Sequence, residues 1–136
     1  MIKVHIFSGD EIIGWSDLWA LDPPMGVAEG VFHPLEPYWK IQPLMHAWGK
    51  RGYPTTEEAI RNDIYGKIDA LKLKVVTEDG VHLEAVGGID IMDSSDEFED
   101  EPIMVHVAGM DCFSGLYERY FGQDPHYRSY YGPDGD

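Results

Sequence analysis

The chain has 136 residues, a net charge of −15 and a hydrophobic fraction of 43%. A chain of this length forms one domain and buries roughly two-thirds of its unfolded surface, so we expect a compact domain over residues 1–136 and not intrinsic disorder. Its ten basic residues are scattered along the sequence, which argues against binding to nucleic acid or anionic lipid, because both need clustered lysine and arginine.

The first part of the chain predicts three antiparallel strands. Residues 2–7 alternate apolar and polar side chains, which is the pattern of a half-buried strand. Turn residues at 8–10 and an apolar run over 12–21 then predict an N-terminal hairpin. Two consecutive prolines end that run, because proline cannot donate a hydrogen bond within a central strand. Residues 27–32 are predicted as a third strand, with Gly30 as a candidate bulge.

The proline-rich segment that follows predicts helices. Pro37 and Pro43 suit the first positions of helical turns, where a missing N–H group removes no hydrogen bond. Thr55 and Glu58 have the spacing of a capping box, in which two side chains satisfy the first backbone donors of a helix. Apolar residues at helical spacing come next, so we predict a helix over about 56–67.

The second half of the chain begins with another hairpin signal. Residues 70–77 alternate in polarity and residues 78–80 have the composition of a tight turn. Residues 81–92 are therefore predicted as the returning strand of that hairpin, bent at its two adjacent glycines. Alternating apolar residues over 103–107 predict the last strand.

Two helices are predicted near the C-terminus. Asp111 suits the N-cap of the first helix and Gly122 its end. The second helix has Asp124 as its N-cap and Gly132 as its stop signal. The last residues, 134–136, are expected to be a frayed tail.

The order of these elements predicts the fold class. Strands and helices do not alternate regularly, which argues against a parallel, doubly wound sheet. We therefore expect an α+β fold, with a mainly antiparallel sheet of five to six strands and helices packed on one face. The sequence contains no solenoid repeat and no domain linker, so we predict a single domain.

The negative charge is concentrated in the second half of the sequence. Residues 1–75 carry eight basic and ten acidic side chains, whereas residues 76–136 carry two basic and fifteen acidic ones, a balance of −13. No lysine or arginine lies between Lys74 and Arg119. Such an uneven distribution attracts cations and basic surfaces to one half of the molecule.

The densest part of this stretch is predicted to be a solvated acidic loop over residues 93–101. The candidate partner-binding residues are Asp93, Asp96, Glu97, Glu99, Asp100 and Glu101. Calcium is an alternative ligand for these oxygens, although the loop lacks the glycine and the twelfth ligand of an EF-hand. A loop whose like charges only prevent aggregation is the simplest alternative.

Catalytic motifs are absent from the sequence. It contains no nucleotide-binding loop, no nucleophile elbow and no His-Glu-x-x-His motif, so an enzyme is not the expected class and no cofactor is predicted. A weak alternative is a small metal-dependent enzyme or metal-binding protein that uses His82, Glu84 and His106 as ligands. A nucleophilic Cys112 paired with His106 or His126 is a further alternative.

The expected function is therefore that of a non-enzymatic acidic interaction protein whose partner is a basic protein. A concrete form is a bacterial immunity or antitoxin-type protein, whose carboxylates occlude the cationic site of a toxin or nuclease. A homodimer that forms through an exposed patch of Trp15, Trp19 or Tyr130 is another alternative. The single cysteine, the lack of a signal-peptide pattern and the lack of a long apolar run predict a cytoplasmic protein that does not span a membrane.

Overall fold

The computed structural model describes residues 1–53, 56–111 and 114–132. Within these ranges the chain forms seven strands and four helices. The strands are β1 (Ile2–Ser8), β2 (Glu11–Asp22), β3 (Val27–Val31), β4 (His33–Pro34), β5 (Leu73–Thr77), β6 (Ala85–Met92) and β7 (Met104–Met110). The helices are α1 (Gln42–Gly49), α2 (Glu58–Ala70), α3 (Leu116–Phe121) and α4 (Pro125–Tyr131), and 3-10 turns cover Pro23–Met25 and Glu36–Lys40.

All strand pairs are antiparallel and belong to one curled sheet. The strand order is β5-β1-β2-β3-β7-β6, and the short β4 pairs with β2. Because the sheet curls, its two edge strands, β5 and β6, approach each other. The predicted α+β class with a mainly antiparallel sheet is confirmed, and the described chain contains one very short strand more than the six expected at most.

The hydrophobic core lies against the inner face of this sheet. Every strand except β4 contributes to it through alternate residues, and helices α1 and α3 add large side chains to the same cluster. The buried core residues include Val4, Ile6, Leu18, Ala20, Ala28, Val75, Ile91, Val105, Val107, Met45, Tyr117 and Phe121. The apolar faces predicted from the alternation of the strand residues are therefore the faces that lie in the core.

The N-terminal hairpin and the third strand are confirmed, but the bulge lies elsewhere. The register between β2 and β3 shifts between Ala20 and Asp22 and not at Gly30. A Cβ atom at Gly30 would overlap with the Ser16 hydroxyl and with the backbone carbonyl of Asp17. Glycine at this position therefore allows β2 and β3 to approach closely.

The helices predicted in the middle of the chain are present with small shifts. Pro37 and Pro43 stand at the first positions of a 3-10 turn and of α1, as predicted. The helix expected at 56–67 is α2, and Glu57 is its N-cap residue without a side-chain capping bond. The capping role predicted for Thr55 falls outside the described residues.

The second hairpin is only partly as predicted. Its turn is present, since Gly80 N donates to Thr77 O at 3.0 Å and Leu83 N donates to Val75 O at 2.9 Å. The prediction that residues 81–92 continue along β5 is wrong, because β6 pairs with β7 at the opposite edge of the sheet. The turn at residues 78–80 can be predicted from neighbouring residues alone. The pairing of β6 with β7 cannot, because β7 is distant in the sequence and only the tertiary fold brings the two strands together. The bend expected at the paired glycines corresponds to a register shift between Ala85 and Gly88.

The C-terminal helices confirm three of the four predicted end residues. The N-cap of α3 is Gly115, with a φ of 80°, so the prediction that Asp111 caps this helix is wrong. Gly122 ends α3 and Gly132 ends α4, as expected. Asp124 caps α4 by accepting a hydrogen bond from the backbone N–H of residue 126 at 2.8 Å. The predicted tail at 134–136 lies outside the described residues, and so does Cys112.

Candidate functional site: the acidic loop and helix α1

The acidic loop joins β6 to β7 and lies beside helix α1. Its first part, residues 93–97, contacts α1 and is called the anchored part here. Its second part, residues 98–101, projects into solvent and is called the acidic tip. The two parts have similar compositions, but their surroundings differ completely.

Helix α1 presents one polar face to this loop. Met45 is buried in the core and fixes how the helix is rotated. Gln42, His46 and Lys50 are spaced four residues apart, so they lie in a row along one face of the helical turns. All three contact the anchored part of the loop.

Asp93 is the centre of the anchored part. Its side chain is fully buried and accepts hydrogen bonds from the Tyr38 hydroxyl at 2.5 Å and from Gln42 Nε2 at 3.1 Å. It also accepts from the backbone N–H of Ser95 at 2.9 Å and from the hydroxyl of the same residue at 2.6 Å. His46 Nε2 lies 3.3 Å from Asp93 Oδ1. A buried carboxylate is stable when its lone pairs are occupied in this way.

The hydrogen bonds to Asp93 change its acidity. Burial alone would raise the pKa of Asp93, but the hydrogen bonds from Ser95, Tyr38 and Gln42 outweigh burial and lower this pKa to about 2. The pKa of Tyr38 is raised, because the hydroxyl is buried and donates to the charged carboxylate. Asp93 is therefore ionised at neutral pH, and Tyr38 keeps its proton as the donor.

Lys50, the C-cap residue that follows α1, provides the second contact with the loop. Its ammonium group donates to Asp96 and lies 3.6 Å from Glu97 Oε1. The hydrogen bond from Lys50 holds the pKa of Asp96 below its ordinary value. Tyr53 also donates to Glu97, at 3.3 Å. A lysine from the N-terminal half of the chain thus neutralises part of the acidic half.

The acidic tip has a different environment. Phe98 N donates to Ser94 O at 2.8 Å and Glu101 N donates to Phe98 O at 3.1 Å, so its backbone is folded in tight turns. Glu99, Asp100 and Glu101 are exposed and form no ion pair with any side chain in the described ranges. Phe98, an aromatic side chain, is 54% exposed beside them.

The six carboxylates predicted to bind a partner differ in their exposure and in their contacts within the fold. Asp93 is buried and bonded within the fold, which corrects its assignment to the exposed binding set. Asp96 and Glu97 are held by Lys50. Glu99, Asp100 and Glu101 are exposed, and their role in binding a partner stays a prediction.

The structure does not bring together the three residues of the metal alternative. His82 bridges to Val76 of β5, and Glu84 follows it in an exposed loop. His106 lies on β7, where its Nε2 is 2.7 Å from Glu29 Oε1. In the part of the chain that the structure describes, no group of three or more His, Cys, Asp or Glu side chains could hold a metal ion.

Sequence reasoning missed three side-chain contacts made by residues of the sheet, one of which is the contact between Glu29 and His106. Glu29 and Asp90 lie directly across from His106 on the neighbouring strands, and the Trp48 indole N–H donates to Asp90. Trp15 stacks on His33, with 4.0 Å between ring centroids. Strand alternation assigns the faces of these residues, but the partners depend on a register that no local pattern specifies.

Comparisons with models of protein families, with curated proteins and with solved structures found no match to this chain. Among the helices of the described ranges, none has both the length and the apolar character needed to cross a bilayer.

Proposed function

We propose that this chain is a non-enzymatic acidic interaction protein that binds a basic protein through its acidic tip. The observation that carries the proposal is the combination of three exposed carboxylates with the exposed Phe98 on a loop whose base is fixed to the core. Carboxylates attract a basic surface, and an adjacent aromatic ring supplies the apolar contact that dominates many interfaces.

The anchored part of the loop favours binding because it limits the cost of ordering. A mobile acidic loop would lose conformational entropy on binding, and this loss reduces affinity. Here Asp93, Asp96 and Glu97 are already bonded to α1 or to neighbouring side chains. The tip is therefore presented on a base that is already ordered.

The charge of the rest of the chain supports the same partner class. A net charge of −15 attracts a cationic protein from a distance and accelerates association at low salt. A basic toxin or nuclease is the concrete partner that we propose, in the manner of an immunity protein. We propose the cytoplasm as the compartment in which this partnership forms.

The test is the binding of a defined polycation, a twelve-residue lysine peptide, to the full chain, followed by NMR chemical shifts. We expect the amides of residues 97–101 to respond at lower peptide concentrations than the exposed acids of the N-terminal half. The triple variant Glu99→Gln, Asp100→Asn, Glu101→Gln should weaken binding at least fivefold. Added salt should abolish the difference, because exposed charges are screened within about 10 Å at 0.1 M.

A matched control removes the same charge elsewhere. The variant Glu36→Gln, Glu57→Gln, Glu58→Gln also loses three exposed carboxylates but should bind within twofold of the wild type. Equal weakening in both variants would show that only net charge matters, and the proposed site would then be rejected. The Phe98→Ala variant separates the aromatic contribution, since its charge is unchanged.

A further inference from the structure

Strand β6 forms an open edge of the sheet. It pairs with β7 on one side and is the last strand on the other. The backbone of residues 85–92 forms no backbone hydrogen bond with any described residue outside its pairing with β7. A row of unpaired N–H and C=O groups is complementary in geometry to another extended chain.

The opposite edge of the sheet is protected in a way that β6 is not. Lys74 stands on β5, and the returning chain covers this strand where Leu83 N donates to Val75 O. Lysine and a covering segment are common devices that prevent strand addition. β6 contains no lysine and no proline, and the side chain of Val86 is 95% exposed.

Two adjacent glycines leave part of the β6 backbone uncovered. Gly87 and Gly88 are both exposed, and Gly88 has a φ of 95°, which strongly favours glycine. A Cβ atom at Gly88 would have no neighbour within 4 Å, so open space lies beside the backbone here. At Gly87 the close neighbour is β7 itself, since a Cβ atom there would lie 3.0 Å from Ala108, so only Gly88 leaves open space beside the edge.

A groove follows this edge. Two adjoining cavities of about 450 and 340 Å³ run along residues 85–90 and share Leu73, Gly88 and Ile89 in their walls. Ile68 and Asp69 of α2 form part of the opposite wall. The groove is therefore bounded by a free strand edge on one side and by α2 and β5 on the other.

The charges along the groove select the occupant. At one end Arg51 and Lys72 balance Asp69 and Asp90. At the other end Glu84 is exposed and has no basic partner among the side chains of the described ranges. Because the chain as a whole is strongly acidic, a segment with a basic side chain near Glu84 is favoured.

We propose that the free edge of β6 binds an extended, basic segment of a partner protein by strand addition. Backbone hydrogen bonds to residues 85–90 hold the segment, its apolar side chains contact Leu73 and Ile89, and a lysine or arginine pairs with Glu84. This surface is distinct from the acidic tip, so the inference does not depend on the proposed function.

The test uses peptides selected from a random twelve-residue display library against the full chain. Selected peptides should alternate β-branched and polar residues and contain a basic residue. They should protect amides of residues 85–90 from hydrogen exchange. Each peptide is then made in two forms. One form is N-methylated at the odd-numbered residues and the other at the even-numbered residues, so that each form loses the backbone donors on one edge of the bound peptide. The methylated form that lacks the donors facing β6 should bind at least tenfold more weakly than the unmodified peptide, whereas the affinity of the other form should change less than twofold.

Variants of the chain complete the test. Glu84→Gln should weaken peptide binding about fivefold, while the triple variant of the acidic tip should leave it unchanged. Equal effects of the two methylation phases, or failure to select any peptide that protects this edge, would overturn the proposal. A concentration-dependent dimer that selected peptides dissociate would assign the edge to a second copy of the chain and would also overturn it.

Discussion

The two parts of the acidic loop contain the same residue types in opposite physical roles. In the anchored part, Asp93 is buried and Asp96 is paired with Lys50. In the acidic tip, Glu99, Asp100 and Glu101 are exposed to solvent. The comparison teaches that a count of carboxylates along a sequence does not measure the charge that a partner meets. What matters is which carboxylates find donors within the fold.

The two parts of the loop should differ most in their contribution to the free energy of unfolding of the chain. Asp93→Ala leaves the buried Tyr38 hydroxyl without its acceptor and removes the bonds to Gln42 and Ser95. Unpaired buried donors are costly, so we expect the free energy of unfolding to fall by about 3 kcal/mol. Asp100→Ala is the matched control and should change it by less than about 0.5 kcal/mol. Urea unfolding measures both, and equal effects would remove the distinction between the parts.

The next largest effect is on the pH dependence of stability. The pKa of Asp93 is about 2 in the folded chain, below its ordinary value of 3.8. A carboxyl with a lowered folded pKa stabilises the fold above its unfolded pKa, and this contribution is lost as the pH falls through the folded pKa. The lowering corresponds to about 2 kcal/mol.

We therefore expect the stability gap between the wild type and Asp93→Ala to be constant above about pH 4.5 and to narrow down to pH 2. Urea unfolding over this pH range measures the gap. A gap that does not change with pH would mean that the pKa of Asp93 is the same in the folded and the unfolded chain.

A smaller effect is expected for the donor to Asp93. Tyr38→Phe keeps the buried ring but removes one hydrogen bond to a charged acceptor. Because three further donations to Asp93 remain, we expect a loss of about 1–2 kcal/mol. The pKa of Asp93, followed by NMR, should rise at the same time. An unchanged pKa would show that Tyr38 contributes only its ring.

The smallest effect is expected at the acidic tip. Neutralising Glu99, Asp100 and Glu101 removes repulsion between neighbouring like charges that have no ion-pair partner among the described side chains. The thermal midpoint should stay within about 2 °C of the wild type or rise slightly. A fall of more than about 5 °C would indicate that these groups take part in a structural interaction, and the two parts of the loop would then be alike.

The sequence predicted those elements whose signals are local. Alternation over residues 2–7 and 12–21 located the first hairpin, and the proline and cap pattern at Asp124 located α4. These patterns work because strand alternation and helix capping depend on neighbours in the chain. The α+β class follows from the order of such elements.

The partners of β6 and Asp93 could not be predicted in this way. The turn at residues 78–80 is real, yet β6 pairs with β7, because strand pairing depends on long-range packing. The sequence pattern groups Asp93 with the exposed acids, although Gln42, His46 and Lys50 have the four-residue spacing of a polar helix face. That spacing was a usable signal, but nothing in the sequence showed which segment it would contact.

The position of Tyr38 links the loop to the interior of the protein. Its ring contacts Phe32 in the core, with 5.0 Å between centroids, while its hydroxyl holds the base of the acidic loop. A ligand that engages the tip should consequently raise the melting temperature of the whole molecule, since binding to the native form alone shifts the folding equilibrium.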